Sequence, residues 1–188
     1  NATDPLSKEK KKFPKSLIDR DTDNDGLTDE EEINLGTDYQ NTDSDSDGFK
    51  DGEEVTHGYS PLMLGEEKLE KRIEVGIATQ SLSYYIGDLL IRIVKVSTGL
   101  PGFDTPKGEF DVIKKLPFVH YKGKDYDYPN TKWNMRFKFH KAGSYYIHGA
   151  YWHNNFGRKR SHGCVNVSYH DVERLYKWAD EGTKISIK

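Results

Sequence analysis

The chain has one cysteine, Cys164, among 188 residues, so no disulfide can form within it. It also lacks any apolar run near the roughly 18 residues that a membrane-spanning helix needs. Its first residues, NATDPLSKEKKKFPKS, do not have the apolar stretch of a signal peptide. If the protein is exported, its signal has been removed or lies outside this sequence. The lysine-rich segment 1–18 predicts a flexible linker or tail.

Net negative charge is concentrated in one segment. Residues 19–54 carry fifteen acidic and two basic residues, whereas residues 55–188 carry fourteen acidic and twenty-one basic residues. Two segments of opposite charge predict two parts with different tasks. The positive surplus of the second part suits an anionic polymer, and because the sequence has no aromatic-basic platform we expect no nucleic-acid partner.

A repeat with a period of 22 residues occupies the acidic segment, where DTDNDGLTDEEEINLGTDY (21–39) aligns with DSDSDGFKDGEEVTHGYSP (43–61). Both copies fit D-x-D-x-D-G-x5-E, in which alternate side chains supply hard oxygen ligands and a final glutamate closes the shell around Ca²⁺. Loop positions 1, 3, 5, 7 (by its carbonyl), 9 (through water) and 12 are the predicted ligands: Asp21, Asp23, Asp25, Leu27, Asp29 and Glu32, then Asp43, Asp45, Asp47, Phe49, Asp51 and Glu54.

The two loops are separated by only ten residues, 33–42, which are too few for the flanking helices of a paired EF-hand. The arrangement instead resembles the thrombospondin type 3-like repeats of secreted bacterial proteins. This resemblance implies a short, nearly helix-free rod over residues 19–62, organised by calcium, that serves as a rigid spacer or docking module. Calcium dependence also implies an extracytoplasmic location, either periplasmic, wall-associated or secreted. The alternative is an acidic, disordered stretch.

Residues 70–188 predict a mainly β domain with one clear helix. The helix is expected within residues 168–182, with Ser168 as N-cap, Asp171 three residues later and Gly182 as C-cap. Gly87 and Asp88 predict a turn. Runs that alternate apolar and polar residues predict strands within 72–80, 82–86, 89–98, 108–113, 133–139, 144–150 and 183–188.

Cys164 lies in the segment RKRSHGCVN, and a thiol of ordinary pKa needs a base before it can act as a nucleophile. Two candidates are close in sequence: His162, and His148 at the end of the run SYYIHG. Gly163 leaves room for a carbonyl group beside the thiol, and the amides of Gly163 and Cys164 are candidate oxyanion donors. Two alternatives stay open at this point. Cys164 is a small buried residue, or His148, His162 and Cys164 bind zinc.

The segment IHG…SHGCVN (147–166) resembles the motif of L,D-transpeptidase catalytic domains, the YkuD family. VSTGLPGFDTPKGEFDV (96–112) and KWNMRF (132–137) resemble two further segments of that family, in the same order. The resemblance therefore covers residues 70–188. It implies a β-sandwich-like mixed sheet with one main α-helix, preceded here by the small calcium-loop repeat module.

The resemblance also implies roles for the motif residues. Cys164 is expected to be the nucleophile, His148 the general base, and Gly149 the residue whose carbonyl orients the imidazole. Ser161 and His162 belong to the motif, with His162 favoured as a structural or substrate-orienting group, and Gly163 as an oxyanion donor. The expected substrate-binding residues are Asn166, Arg136, Trp152, Tyr146 and Arg160. His153 and His170 are interpreted as surface residues without a catalytic role.

The family transfers acyl groups of peptidoglycan stem peptides without a catalytic cofactor. Its cysteine releases a terminal D-Ala, and an amine of a second stem, an envelope lipoprotein or a free amino acid accepts the acyl group. We therefore expect a peptidoglycan transpeptidase. The alternatives are an L,D-carboxypeptidase or endopeptidase, an exported peptidoglycan-modifying toxin, and a calcium-dependent wall-binding protein without turnover.

Overall fold

A computed structural model describes residues 19–65, 67–140 and 143–188, and the linker predicted over residues 1–18 lies outside them. The helices and strands of these residues are, in chain order, α1 (Asp29–Leu35), α2 (Asp51–His57), β1 (Lys71–Gly76), β2 (Ser81–Ile86), β3 (Leu89–Ser97), β4 (Gly108–Asp111), β5 (Lys114–Lys122), β6 (Asp127–His140), β7 (Gly143–Gly149), β8 (Val165–Val167), α3 (Tyr169–Trp178) and β9 (Lys184–Ile187).

The strands form one curled nine-stranded sheet in the order β4-β9-β1-β2-β3-β8-β7-β6-β5. It is a mixed sheet because β1 pairs with β9 and β7 pairs with β8 in parallel, whereas the other neighbours are antiparallel. The predicted fold class, mainly β with a mixed sheet and one main helix, is confirmed. The parallel pair β7 and β8 lies between β3 and β6 in the sheet. The single cysteine directly precedes β8.

Every predicted run overlaps a strand, and the predicted turn at Gly87 and Asp88 joins β2 to β3. Two strands were not predicted. β5 contains Pro117, which cannot donate to a ladder and is tolerated here because β5 is an edge strand. β8 has only three residues, all buried, so it shows no alternation of apolar and polar residues.

Helix α3 begins as the sequence predicts, but it ends earlier. The Ser168 side chain accepts from the Asp171 amide at 3.1 Å, which satisfies one free amide of the first turn. The helix ends at Trp178, and its C-cap is Ala179 in an extended conformation. The predicted C-cap at Gly182 is therefore wrong. Gly182 instead adopts φ +96° in the turn before β9.

The repeat segment contains two short helices, so the expectation of a nearly helix-free rod is wrong. Each calcium-loop candidate leads directly into a helix of seven residues, α1 or α2. Thr28 and Glu31 form a capping box at the start of α1, which favours helix formation there. Leu35 and Val55 belong to the same buried cluster as the sheet residues, so the repeats pack against the β domain rather than stand apart from it.

No helix within the described residues has both the length and the apolar character that a bilayer crossing requires.

Candidate active site

The parallel pairing of β7 and β8 brings Cys164 and His148 to one face of the sheet. His148 lies opposite Asn166 in the register, and Ile147 lies opposite Val165. Opposed residues on neighbouring strands share a face, and so do residues two apart on one strand. Cys164 immediately precedes β8, and its thiol has a hydrogen bond with the Tyr146 backbone. Cys164 therefore sits beside Tyr146, on the His148 face.

The His148 side chain is buried and held by the backbone. Its Nδ1 lies 2.8 Å from the carbonyl oxygen of Gly149, and because a carbonyl only accepts, Nδ1 carries the proton. Nε2 is then left as a proton acceptor. Burial lowers the pKa of His148 to about 4, although the hydrogen bond to Gly149 acts in the opposite direction. The imidazole is therefore neutral at neutral pH and can act as a base.

Cys164 is half-buried and is a neutral thiol in the resting site. Burial raises its pKa to about 11, which outweighs the hydrogen bond from the Tyr146 backbone. A neutral thiol beside a neutral imidazole differs from the thiolate–imidazolium pair of other cysteine enzymes. Proton transfer must then accompany attack by the sulfur.

The turn that carries the thiol is closed by Ser161. Its hydroxyl donates to the Cys164 carbonyl and accepts from the Gly163 amide at 3.1 Å. Gly163 adopts φ +112°, and a Cβ at this residue would lie 2.6 Å from the Tyr145 ring. Both the backbone conformation and the lack of space therefore require glycine. Because the Gly163 amide is already donated to Ser161, the expectation that it is an oxyanion donor is wrong for this conformation. The Cys164 amide remains the candidate.

Three tyrosines that the sequence analysis did not single out stack on the site from the hairpin of β5 and β6. We call Tyr121, Tyr126 and Tyr128 the aromatic cover. Their sequence signal is HYKGKDYDY, in which tyrosines flank a glycine-containing turn. The stacked pairs, with the distances between ring centroids, are Tyr121 on His148 (4.5 Å), Tyr126 on His162 (5.1 Å) and Tyr128 on Trp152 (3.8 Å).

The aromatic cover determines how the two motif histidines are exposed. Tyr121 is held by its hydroxyl, which donates to Asn134 Oδ1 at 2.9 Å, and its ring shields His148 from water. His162 is exposed and lies between the rings of Phe103 and Tyr126. This placement suits an orienting role for His162 rather than the role of the base.

The expected substrate-binding residues differ in their accessibility. Tyr146 and Trp152 are half-buried and line the region around His148. Arg136 is also half-buried, lies opposite Tyr146 in the register of β6 and β7, and packs over a phenylalanine ring. Arg160 is exposed. Tyr146 and Trp152 thus lie around His148, Arg136 shares the face of Tyr146, and the binding roles of these residues stay predictions.

Asn166 is buried beside His153, and the expectation that His153 is a surface residue is wrong. His153 is 7% exposed and is therefore not a surface residue, whereas His170 is exposed as expected. The Asn155 amide donates to His153 Nδ1 at 3.2 Å, and Asn166 Nδ2 lies 3.1 Å from His153 Nε2. His153 therefore packs against the amide group of Asn166.

The two acidic loops each gather oxygen atoms around one point. The carboxylates of Asp21, Asp23 and Asp25, and separately those of Asp43, Asp45 and Asp47, offer oxygen atoms within 4.8 Å of one another. The atoms Asp23 Oδ2, Asp45 Oδ2, Glu54 Oε2 and both carboxylate oxygens of Glu32 are buried without a hydrogen-bond partner in the described residues. Buried carboxylate oxygens without a hydrogen-bond partner are suitable ligands for a hard cation such as Ca²⁺.

The closing glutamates show the electrostatic strain of these loops most clearly. Burial, followed by the charges of nearby aspartates, raises the pKa values of Glu32 and Glu54 to about 8. Glu32 is fully buried, so its carboxyl group needs either a proton or a cation.

The aspartates at loop position 9 accept hydrogen bonds from within their own loops. Asp29 accepts from the Thr22 amide and hydroxyl, both at 2.9 Å, and Asp51 accepts in the same way from Ser44 at 2.9 and 2.6 Å. These carboxylates tie each helix start back to its loop, and their contact with the cation through water stays a prediction. The carbonyl ligands expected at Leu27 and Phe49 stay predictions.

The zinc alternative does not hold for the described residues. The sets of three metal-binding side chains that come together in the described ranges are the two aspartate triplets, and His148, His162 and Cys164 do not form such a set.

Comparison with known proteins places both parts of the chain. The family model for the L,D-transpeptidase catalytic domain (YkuD) matches residues 70–187, and the model for the bacterial TSP3 repeat matches residues 21–38 and 43–58. The catalytic model covers well over half of the chain. The chain belongs to the L,D-transpeptidase family.

Relatives of this L,D-transpeptidase are found among curated and solved proteins. The Bacillus licheniformis protein named as the L,D-transpeptidase YkuD is 27% identical over 127 residues, which cover 68% of this chain and 71% of that protein. The L,D-transpeptidase from Mycobacterium smegmatis superposes with a TM-score of 0.59 at 23% identity, covering 64% of this chain and 59% of that one. The Enterococcus faecium catalytic domain gives a TM-score of 0.55 at 23% identity and is covered completely by 65% of this chain. These two structures support the fold, and the match spans less than two thirds of the mycobacterial chain.

Proposed function

We propose that this L,D-transpeptidase transfers peptidoglycan stem peptides through an acyl-enzyme on Cys164. The proposal depends above all on the contact of His148 Nδ1 with the Gly149 carbonyl at 2.8 Å. This contact leaves Nε2 as the proton acceptor on the sheet face that also carries the thiol.

In the first step the Cys164 sulfur attacks the carbonyl carbon between the third stem residue and the terminal D-Ala. His148 Nε2 takes the thiol proton as the carbon–sulfur bond forms, and then gives it to the departing amine of D-Ala. The Cys164 amide is the candidate donor to the oxyanion, because the Gly163 amide is bonded to Ser161. The product of this step is a thioester.

In the second step an amine attacks the thioester, and His148 removes a proton from it. Collapse of the intermediate returns the proton to the sulfur and leaves a new amide, which for a second stem is a 3→3 crosslink. Water as the acceptor would give L,D-carboxypeptidase activity instead. The aromatic cover shields His148 and so favours transfer to a bound amine over hydrolysis.

We further propose that Asn166, Arg136 and Arg160 bind carboxylate groups of the stem, and that Tyr146 and Trp152 form apolar walls beside it. The argument for Asn166 is its position opposite His148 in the register of β7 and β8. Arginines suit carboxylate recognition because the guanidinium can donate two parallel hydrogen bonds.

The repeats are proposed to bind Ca²⁺ with the aspartate triplets and with Glu32 and Glu54. Bound calcium would supply the positive charge that these buried carboxylates lack. Calcium at millimolar concentration and a peptidoglycan substrate both favour an extracytoplasmic location. Envelope proteins with a free amine are further candidate acceptors.

The test is incubation with purified disaccharide-tetrapeptide in millimolar calcium, followed by product analysis. Wild type should form crosslinked dimers and free D-Ala, whereas Cys164→Ala and His148→Ala should form neither. His57→Ala, which changes an exposed histidine of α2, should behave as wild type. Tripeptide without dimers would favour the carboxypeptidase alternative. Wall binding without any product would favour the binding-protein alternative and contradict the proposal.

A further inference from the structure

The first repeat is attached to the catalytic domain by a buried glutamate. Glu31, in α1, is 2% exposed and accepts from Arg174 of α3 and from the Tyr84 hydroxyl at 3.1 Å. Arg92 of β3 lies 3.7 Å from the same carboxylate. Removing one partner of such a buried ion pair is strongly destabilising, because the other charge is left without compensation. Glu31 therefore fixes α1 to the sheet and to α3.

Arg174 holds the first loop at two points. Besides Glu31, its Nη2 donates to the carbonyl of Gly26 at 3.0 Å. Gly26 is position 6 of the first calcium loop and Glu31 is position 11, directly before the closing ligand Glu32. Any change in the shape of this loop must therefore shift one or both of the groups to which Arg174 donates.

The second repeat does not have this attachment. Its residue at position 11 is Glu53, which is exposed, and Phe49, at position 7, is 62% exposed whereas Leu27 is buried. Two loops of nearly the same sequence thus have different surroundings. Arg174 bonds the first loop, whereas the second repeat meets α3 through α2 and through Lys71, which donates to the carbonyls of Thr56 and Trp178. Glu53 therefore serves as the control for Glu31.

The N-terminal end of α3 abuts Gly149. The Tyr169 hydroxyl accepts from the Lys132 amide at 3.1 Å, and its ring lies so close to Gly149 that a Cβ there would be 2.5 Å from it. Gly149 supplies the carbonyl that orients His148. From Tyr169 to Arg174 the helix rises only about 7.5 Å, so a movement of α3 at Arg174 is carried to Tyr169 as a rigid body.

We propose that Arg174 and Tyr169 are positioning residues through which calcium in the first loop sets the orientation of His148. With calcium bound, the aspartates of the first loop and Glu32 are drawn together, and Glu31 and the Gly26 carbonyl hold α3 in place. Without calcium, repulsion between the carboxylates opens the loop and loosens this hold. The inference rests on the proposed catalytic role of His148.

The first test follows tryptophan fluorescence during calcium titration, because all three tryptophans, Trp133, Trp152 and Trp178, lie in the catalytic domain. Trp178 contacts Tyr84, which itself bonds Glu31. Calorimetry run in parallel counts the bound ions.

Wild type and the matched control Glu53→Gln should show the same fluorescence change. In Glu31→Gln and Arg174→Gln we expect the amplitude to fall at least about fivefold, with both ions still bound. An equal loss in Glu53→Gln, or a full response in Arg174→Gln, would overturn the proposal. Because this readout needs no turnover, it stays informative if the proposed enzymatic function fails.

The second test separates positioning from a general loss of stability. Alkylation of Cys164, the only thiol, is measured against pH with and without calcium. In wild type, removal of calcium should shift the acid limb of the profile, because the environment of His148 changes. Arg174→Gln should lose this calcium-dependent shift, and Arg174→Lys should recover part of it. A profile that shifts equally in wild type and Arg174→Gln would show that Arg174 has a structural role only.

Discussion

Replacing Glu32 by Gln should stabilise the calcium-free protein and destabilise the calcium-loaded one. Glu32 is fully buried, both of its carboxylate oxygens lack a partner, and its pKa is raised from the model-compound value of 4.5 to about 8. Gln has the same shape but carries no charge. The substitution therefore removes the proton that the folded, calcium-free loop must hold, together with one ligand of the proposed calcium site.

The size of the effect follows from the linkage between protonation and folding. Because the folded pKa lies above the unfolded one, the free energy of unfolding is highest below about pH 4.5 and falls as the pH rises to about 8. At pH 7.5 the difference spans about three pH units at about 1.4 kcal/mol each, a ceiling of about 4 kcal/mol. For a chain of this size that corresponds to a rise in Tm of up to about 8–16 °C.

The assay is thermal unfolding followed by circular dichroism at pH 5 and pH 7.5, with either a chelator or millimolar calcium. With the chelator, Glu32→Gln should exceed wild type at pH 7.5 and nearly match it at pH 5. With calcium at about one thousand times the wild-type Kd the order should reverse, since binding then stabilises the intact site by about 4.1 kcal/mol, which offsets the ceiling of about 4 kcal/mol. Glu53→Gln, an exposed neighbour in the second repeat, is the matched control and should follow wild type. A lower Tm for Glu32→Gln under all four conditions would refute the reasoning.

Three further outcomes test the catalytic site. Burial raises the pKa of Cys164 to about 11 and lowers that of His148 to about 4. Alkylation of the thiol should therefore be slow at pH 7, become faster toward pH 11, and lose the part assisted by His148 below about pH 4. An alkylation rate that is already constant above pH 6 would contradict a neutral resting pair. Gly149→Ala should lower activity at least about tenfold, because its Cβ collides with the Tyr169 ring, and Gly149→Ala/Tyr169→Ala should recover part of that loss in a kcat assay. Tyr121→Ala should admit water and so raise the pKa of His148 toward 6.5, which an NMR titration would follow. Tyr121→Phe should leave that pKa unchanged and lower the free energy of unfolding by about 1 kcal/mol, because only the hydrogen bond to Asn134 is lost.

The catalytic elements were predictable because they depend on local signals. Alternation of apolar and polar residues marked seven of the nine strands, and Ser168 marked the start of α3. The motif around Cys164 and His148 carried the family resemblance, and its glycines correspond to real steric demands, as the φ of +112° at Gly163 shows. Such features are encoded within a few residues of the positions where they act.

Features that depend on long-range contacts were not predictable. The burial of His153 results from its pairing with Asn166 across thirteen residues, and nothing beside it in the sequence indicates this. The aromatic cover depends on an edge strand, β5, which was not predicted because Pro117 within it argues against a strand. The docking of the repeats depends on Glu31 and Arg174, which are separated by 143 residues. A pattern with a period of two or of 3.6 residues carries no information about such partners.

The most direct test of the central claim is intact-mass spectrometry of the protein mixed with disaccharide-tetrapeptide in the presence of calcium. The account predicts a transient gain equal to the mass of the stem donor minus D-Ala, which hydroxylamine removes and which Cys164→Ala does not show. Turnover without such an adduct, in wild type trapped at early times, or the same adduct on Cys164→Ala, would contradict an acyl-enzyme on Cys164.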